Sequence, residues 1–188
     1  MSIALEPPAR AGQLAAMIER HAEKDGERST AWYSPCERYR YGLRRVWDPG
    51  AGEVLFVMLN PSTASELAND PTIERCQRRT KALGYGAMRI ANLFAFRATR
   101  PQDLRRAEDP EGPENAALLC DWSGAADLTL AAWGVHGALQ GAGPRAAPLL
   151  RGDVRHLGLT KAGHPRHPLY VSYAVHPEPW PMEMRYAA

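Results

Sequence analysis

The chain has 188 residues, of which 45% are hydrophobic and 23% charged, and its formal net charge is +2 at pH 7. These values fit one globular domain and exclude a polycation, and no apolar run approaches the about 20 residues needed to span a bilayer. No signal-peptide pattern opens the chain and its three cysteines lie far apart, so we expect a soluble, cytoplasmic protein with free thiols.

The first 52 residues predict an N-terminal extension made of a helix and a β-hairpin. Helical spacing of the apolar residues predicts a short amphipathic helix over 12–23. A polar loop is expected over 24–29. Aromatic residues that alternate on both sides of a proline-containing break predict a β-hairpin over 30–48, and a Gly- and Pro-rich turn over 48–52 closes the extension.

Residues 53–173 predict a core of alternating strands and helices. Short apolar runs predict four strands, at residues 54–59, 88–94, 128–133 and 154–157. Helices are predicted between them, at residues 72–83, at about 114–123 and within 134–150. This order predicts a single α/β domain of three layers, with a central four-stranded parallel sheet and right-handed crossovers. The proline-rich tail, 174–188, predicts an extended strap over the surface.

Polar side chains follow each of the four predicted strands. Because ligands of open parallel sheets bind outside the carboxyl ends of the strands, these loops form the candidate site. The candidate residues, in chain order, are Asn60, Pro61, Ser62, Asn92, Arg97, Trp133, His136, Lys161, His164, Arg166 and His167.

Several of these candidates also have a purely structural interpretation. Asn60 either belongs to an ordinary Asn-Pro turn or presents an amide that positions a water or a carbonyl. Asn92 lies within an apolar run, so either the protein or a ligand must satisfy it. Trp133 suits close packing, with His136 as a helix cap or a pocket residue. The prolines beside His164 and His167 prevent a helix from presenting both histidines to a metal ion, so we predict no metal site. We also predict no cofactor.

A basic segment extends from residue 74 to residue 106. It holds nine basic residues and two acidic ones. The segment is either a solvated helix face followed by a basic loop, or a patch that binds phosphates. The motifs of phosphate-loop, dinucleotide-binding and nucleophile-elbow enzymes are absent.

Many short strings occur in order between about Ser34 and Val171. They are YRYGLRRVWD, MLNPSTA, DPTIERC, NLFAFRAT, GPEN, AAWG and LGLTKAGHPRHPLY. Together they resemble the bacterial domain-of-unknown-function family 1643. The resemblance covers most of the chain and implies no established activity.

A second, more distant resemblance is to the uracil-DNA glycosylase superfamily. The superfamily motif of the form GxNPG is similar to residues 58–62, and its asparagine after a later strand is similar to residues 90–94. Its "LG" turn is similar to residues 131–134, and its HPS motif to residues 164–166. The chain departs from these motifs at Met58, Ser62 and Arg166.

This second resemblance implies hydrolysis of the N-glycosidic bond of a base in nucleic acid, with DNA favoured over RNA. Asn60 would orient the water, His164 would donate to the base oxygen, and Asn92 would read the base edge. The other implied contacts are stacking by Phe94 or Tyr170 and phosphate binding by Arg97, Arg100, Lys161 and Arg166. The same scaffold could instead serve a non-catalytic nucleic-acid- or nucleotide-binding module, or a hydrolase or transferase of free nucleosides or nucleotides.

Overall fold

The structure, a computed structural model, describes residues 17–185. Over these residues eight strands form one mixed sheet and five α-helices accompany it. The strands are β1 (Ile18–Lys24), β2 (Glu27–Tyr33), β3 (Arg40–Val46), β4 (Glu53–Met58), β5 (Ala87–Asn92), β6 (Leu128–Ala131), β7 (Val154–His156) and β8 (Glu178–Pro179). The helices are α1 (Pro71–Ala82), α2 (Pro101–Arg106), α3 (Asn115–Ala125), α4 (Ala142–Ala146) and α5 (Met182–Arg185). Within the described part of the chain, every helix is too short or too polar to cross a membrane.

The order of the strands in the sheet is β1-β2-β3-β5-β4-β6-β7-β8. Strands β5, β4, β6 and β7 pair in parallel, whereas the strands on both flanks pair antiparallel. The predicted α/β class is confirmed. The predicted four-stranded parallel sheet is wrong, because the N-terminal strands extend the sheet beyond β5 and the tail extends it beyond β7.

Residues 18–24 form strand β1, so the helix predicted over 12–23 is wrong over its described part. Residues 12–16 of that prediction lie outside the described residues. Asp25 and Gly26 connect β1 to β2 with positive φ angles of 53° and 78°, the geometry of a tight two-residue hairpin turn. Strand β2 then pairs with β3, which confirms the hairpin predicted over 30–48.

Alternate residues of β4 face two separate hydrophobic cores. Phe56 packs with Ile73 of α1 on one face, and Val57 packs with Leu118 of α3 on the other. Helix α1 begins where predicted, because the Asp70 side chain accepts a hydrogen bond from the backbone N–H of Ile73 at 2.9 Å. The sheet is therefore covered on both faces, and this leaves the strand ends as the place for a ligand.

The tail that the sequence predicts as a surface strap contributes to the core. Glu178–Pro179 pairs with β7, and the following Trp180 is 1% exposed. The ring of Trp180 lies 5.6 Å from the ring of Trp133, centroid to centroid. Residues 186–188 of the prediction lie outside the described residues.

Candidate functional site

A cavity of about 420 Å³ lies at the carboxyl ends of β4, β5 and β6. This is the edge of the sheet at which open α/β folds bind ligands, and the volume suits a small molecule or one nucleotide unit. The residues predicted from sequence that line it are Asn60, Ser62, Asn92, Trp133, His136, Arg166, His167 and Tyr170. Loops from four different strand ends thus meet in one place.

Other candidates lie elsewhere. His164 and Phe94 are buried, at 8% and 0% exposure, and do not line the cavity. Arg97 lines a separate groove, where it donates to the carbonyl of Glu37 at 3.2 Å. Pro61, Lys161 and Arg100 are also absent from the cavity lining.

Asn60 is fixed by hydrogen bonds that its amide nitrogen donates. Nδ2 donates to the carbonyl of Pro61 at 2.9 Å and to the carbonyl of Ala98 at 2.7 Å. Because two carbonyl oxygens can only accept, the orientation of the amide is unambiguous. Asn60 therefore offers its Oδ1 oxygen to the cavity as an acceptor, and within the described residues this oxygen has no protein donor.

Asn92 is the last residue of β5 and lies on the cavity wall. Its side chain is 2% exposed, and among the described residues its Nδ2 donor has no hydrogen-bond partner. The backbone carbonyl of Asn92 is satisfied, since Asn115 Nδ2 donates to it at 2.8 Å. An unpaired buried donor is costly, so a group that enters the cavity is expected to accept from it.

His167 reaches the cavity because Gly134 permits a close approach. Gly134 has a positive φ of 71°, and a Cβ atom there would lie 3.2 Å from the Cβ of His167. The His167 Nδ1 accepts from the N–H of Leu169 at 3.3 Å, so a neutral ring carries its proton on Nε2. Burial lowers the pKa of His167 below its ordinary value of 6.5. At neutral pH this imidazole is therefore an uncharged Nε2–H donor.

His164 has a structural place in the same loop. Its backbone N–H donates to Thr160 Oγ1 at 3.1 Å, and its carbonyl accepts from the Thr160 N–H at 2.8 Å. These bonds close a tight turn that holds the side chain away from the cavity lining. The donor role that the resemblance implies for His164 stays a prediction; in this structure His167, three residues later, lines the cavity and His164 does not.

Arg40 lines the cavity and was missed by the sequence analysis. It is the first residue of β3 and is only 2% exposed. One guanidinium nitrogen donates to the carbonyl of Ala64. Burial lowers the pKa of Arg40 to about 10, so the side chain still carries its charge at neutral pH. The available signal was a charged residue between two aromatic residues, Tyr39 and Tyr41, inside a buried strand.

Much of the basic segment 74–106 is engaged within the protein. Arg75 donates to the carbonyls of Pro168 and Val171 at 2.9 and 2.6 Å. Arg79 donates to three carbonyls between residues 171 and 175. Arg89 lies 2.8 Å from a carboxylate oxygen of Glu53. Arg75 and Arg79 therefore hold the segment that follows His167, and Arg89 is paired with Glu53, so these three side chains do not form an open phosphate patch.

The described residues contain no group of three or more His, Cys, Asp and Glu side chains arranged to hold a metal ion. Cys36, Cys76 and Cys120 are free thiols, as predicted. The polar side chains that line the cavity carry amides, hydroxyls, imidazoles, guanidinium groups, the indole of Trp133 and the carboxylate of Asp70.

A family model described as "Protein of unknown function (DUF1643)" matches residues 40–169. The match contains Arg40, Asn60, Asn92 and His167. No curated protein and no solved structure matches the chain. The first resemblance is thereby confirmed, and the more distant resemblance to the uracil-DNA glycosylase superfamily finds no match in support.

Proposed function

The chain belongs to the DUF1643 family of proteins of unknown function, and we propose that it hydrolyses the N-glycosidic bond of a nucleobase seated in the cavity. The proposed substrate is a base in nucleic acid, turned out of its strand to reach the pocket. Strands β4 to β7 would then form a glycosylase-like core embedded in the larger sheet. The parallel pairing of these strands and the order of the strand-end motifs support this proposal.

One observation carries the proposal: Asn92 and Asn60 present complementary hydrogen-bonding atoms to the same cavity. The buried Nδ2 of Asn92 has no protein partner, and the bonds to Pro61 and Ala98 leave Oδ1 of Asn60 free to accept. An unsatisfied buried donor costs about 1–3 kcal/mol. A base edge carries acceptors that satisfy such a donor, and the Asn60 oxygen can hold a water by accepting one of its hydrogens.

The reaction needs a positioned water and a donor for the departing base. Water held by Asn60 adds to C1′ of the sugar while the C1′–N bond breaks and its electron pair leaves with the base. The Nε2–H of His167 donates to the base oxygen on which negative charge develops. The proton that the water loses is taken up by solvent, and the released base is protonated from solvent. A preorganised neutral donor suffices for this stabilisation.

A hydrolase of free nucleosides or nucleotides is a second candidate, favoured by the placement of the basic residues. Of the four residues that the resemblance implies as phosphate ligands, only Arg166 lines the cavity. Arg97 is held by Glu37 in another groove. A long basic track for a polynucleotide is therefore missing among the described residues around the cavity.

The test uses oligonucleotides that carry uracil, hypoxanthine or other modified bases, together with the matching free nucleosides. Abasic sites are detected by alkaline cleavage, and released bases by chromatography. Turnover of free nucleosides without turnover of oligonucleotides would select the second candidate. Absence of product from every substrate would overturn both.

His167→Gln and His164→Gln form a matched pair of variants for the same assay. Losing a preorganised donor typically lowers kcat by about 100- to 1000-fold, so we expect that loss for His167→Gln. His164→Gln is expected to keep activity within a few-fold, because its side chain does not line the cavity. Equal losses in both variants would overturn the role given to His167.

A further inference from the structure

Arg40 differs from the other buried arginines in how little of its guanidinium is used by the protein. Arg45, on the same strand and equally buried, donates to Ser65 and Asn69 and lies 3.7 Å from Glu27. Arg79 donates to three carbonyls through its two terminal nitrogens, although its Nε, like that of Arg40, is buried without a partner among the described residues. Arg40 donates to a single carbonyl, that of Ala64, and its Nε is buried without a partner among the described residues.

Arg40 also lacks an ion pair within the described part of the chain. None of the ion pairs there includes it. Asp70 lines the same cavity, and its negative charge acts to raise the pKa of Arg40, but the two side chains form no direct ion pair, and Asp70 Oδ1 accepts from the N–H of Ile73. A buried charge without a direct partner is expensive. An oxyanion that enters the cavity would supply such a partner for Arg40.

We propose that Arg40 forms an oxyanion subsite in the cavity, so that the ligand is a nucleoside bearing a phosphate or carboxylate group. The nucleoside part rests on the proposed function, whereas the oxyanion part rests on Arg40 alone. A guanidinium presents N–H donors in a planar fork that matches two oxygens of such a group. Asn92, at the adjoining end of β5, would then contact the base while Arg40 contacts the anion.

The neighbouring start of α1 does not provide this subsite. Asp70 caps the helix with its own carboxylate, so the N–H group that would otherwise attract an anion is already satisfied. The charge for the ligand must come from Arg40, or from Arg166 at the exposed rim. Arg166 is exposed and is therefore screened by solvent far more than Arg40.

The experiment compares binding of nucleosides, their 5′-monophosphates and orotidine at constant ionic strength, by calorimetry. Wild-type protein is expected to bind at least one oxyanion-bearing ligand about tenfold or more tightly than the matching neutral nucleoside. A tenfold difference in affinity corresponds to about 1.4 kcal/mol, and a hydrogen bond to a charged group contributes at least that much. A preference for the monophosphates identifies phosphate as the source, and a preference for orotidine identifies a carboxylate on the base. Equal affinity for neutral and charged ligands overturns the inference.

Arg40→Gln should erase this preference, and Arg45→Gln should retain it, because Arg45 is equally buried but satisfied by the protein. An unchanged preference in Arg40→Gln overturns the inference. If Arg40→Gln does not fold, the comparison of ligands on the wild-type protein decides, together with the variant Arg40→Lys. Arg40→Lys keeps the positive charge but lacks the planar pair of donors, so it is expected to lose most of the preference for oxyanion ligands. Base release is measured in the same samples. Tight binding without base release overturns the proposed hydrolase and keeps the oxyanion subsite at Arg40. Base release from neutral nucleosides, with no binding preference for the charged ligands, keeps the hydrolase and overturns the subsite.

Discussion

Replacing Asn92 with leucine is expected to stabilise the free protein. The residue is 2% exposed and its Nδ2 donor is unpaired among the described residues, and leucine has the same branched shape, is somewhat larger and carries no polar atom. Removing an unsatisfied buried polar group relieves about 1–3 kcal/mol. Because a chain of this length shifts its Tm by roughly 2–4 °C per kcal/mol, the Tm of Asn92→Leu should rise by roughly 2–12 °C.

Asn115→Leu is the matched control for this experiment. Asn115 is also 2% exposed, but its Nδ2 donates to the carbonyls of Asn92 and Leu93 at 2.8 and 3.0 Å. Its Oδ1 is also unpaired among the described residues, but its replacement leaves two carbonyls without their donor, so the net effect should be a loss of about 1–3 kcal/mol of stability. Both variants are measured by calorimetry and by urea unfolding. A loss of stability in Asn92→Leu would refute the reasoning, since it would mean that the amide is satisfied in the free protein.

Further predictions concern the rest of the site. Asn60→Asp should destabilise the protein more than Asn60→Ala, by about 1 kcal/mol or more in urea unfolding, because a carboxylate repels the two carbonyls that now accept from Nδ2. Burial lowers the pKa of His167 in the folded protein below 6.5, its ordinary value in the unfolded chain. The stability that the neutral ring contributes is therefore fully present above pH 6.5 and is lost as the pH falls through the pKa of the folded state. The loss of stability between about pH 7.5 and about pH 5 should therefore be smaller in His167→Gln, measured by urea midpoints at each pH. Arg79→Lys should speed amide hydrogen exchange over residues 168–175, since the single nitrogen of lysine cannot reach all the carbonyls that the two terminal guanidinium nitrogens bond, and unchanged exchange would contradict the role given to Arg79.

Much of the parallel core could be predicted from the sequence, because its strands are continuous apolar runs and its first helix carries an Asp-Pro start. The N-terminal strand could not be predicted from apolar spacing. Nearly all of β1 is exposed, so the spacing of its few apolar residues does not report a buried helix face. The informative signal was the Asp25-Gly26 pair, which fits a hairpin turn and which the sequence analysis assigned to a loop.

The part of the candidate site that the parallel strands build could be predicted from the sequence. Asn60, Asn92 and His167 follow such strands or the loops after them, so their meeting in one cavity follows from the topology. Arg40 could not be found in this way, because it is the first residue of its strand and does not follow the strand's carboxyl end. Since β3 runs antiparallel to β5, its first residue lies at the edge where β5 ends, and the backbone N–H of Arg40 donates to the carbonyl of Ala95 at 2.9 Å.

The two outermost strands of the described sheet have a consequence for self-association. Strand β1 carries acidic and basic side chains along most of its exposed length, and charged side chains on an edge strand oppose its pairing with another sheet. At the opposite end β8 has only two residues, and one is Pro179, which has no N–H to donate. Both features disfavour edge-to-edge pairing of the described sheet and fibril growth from it.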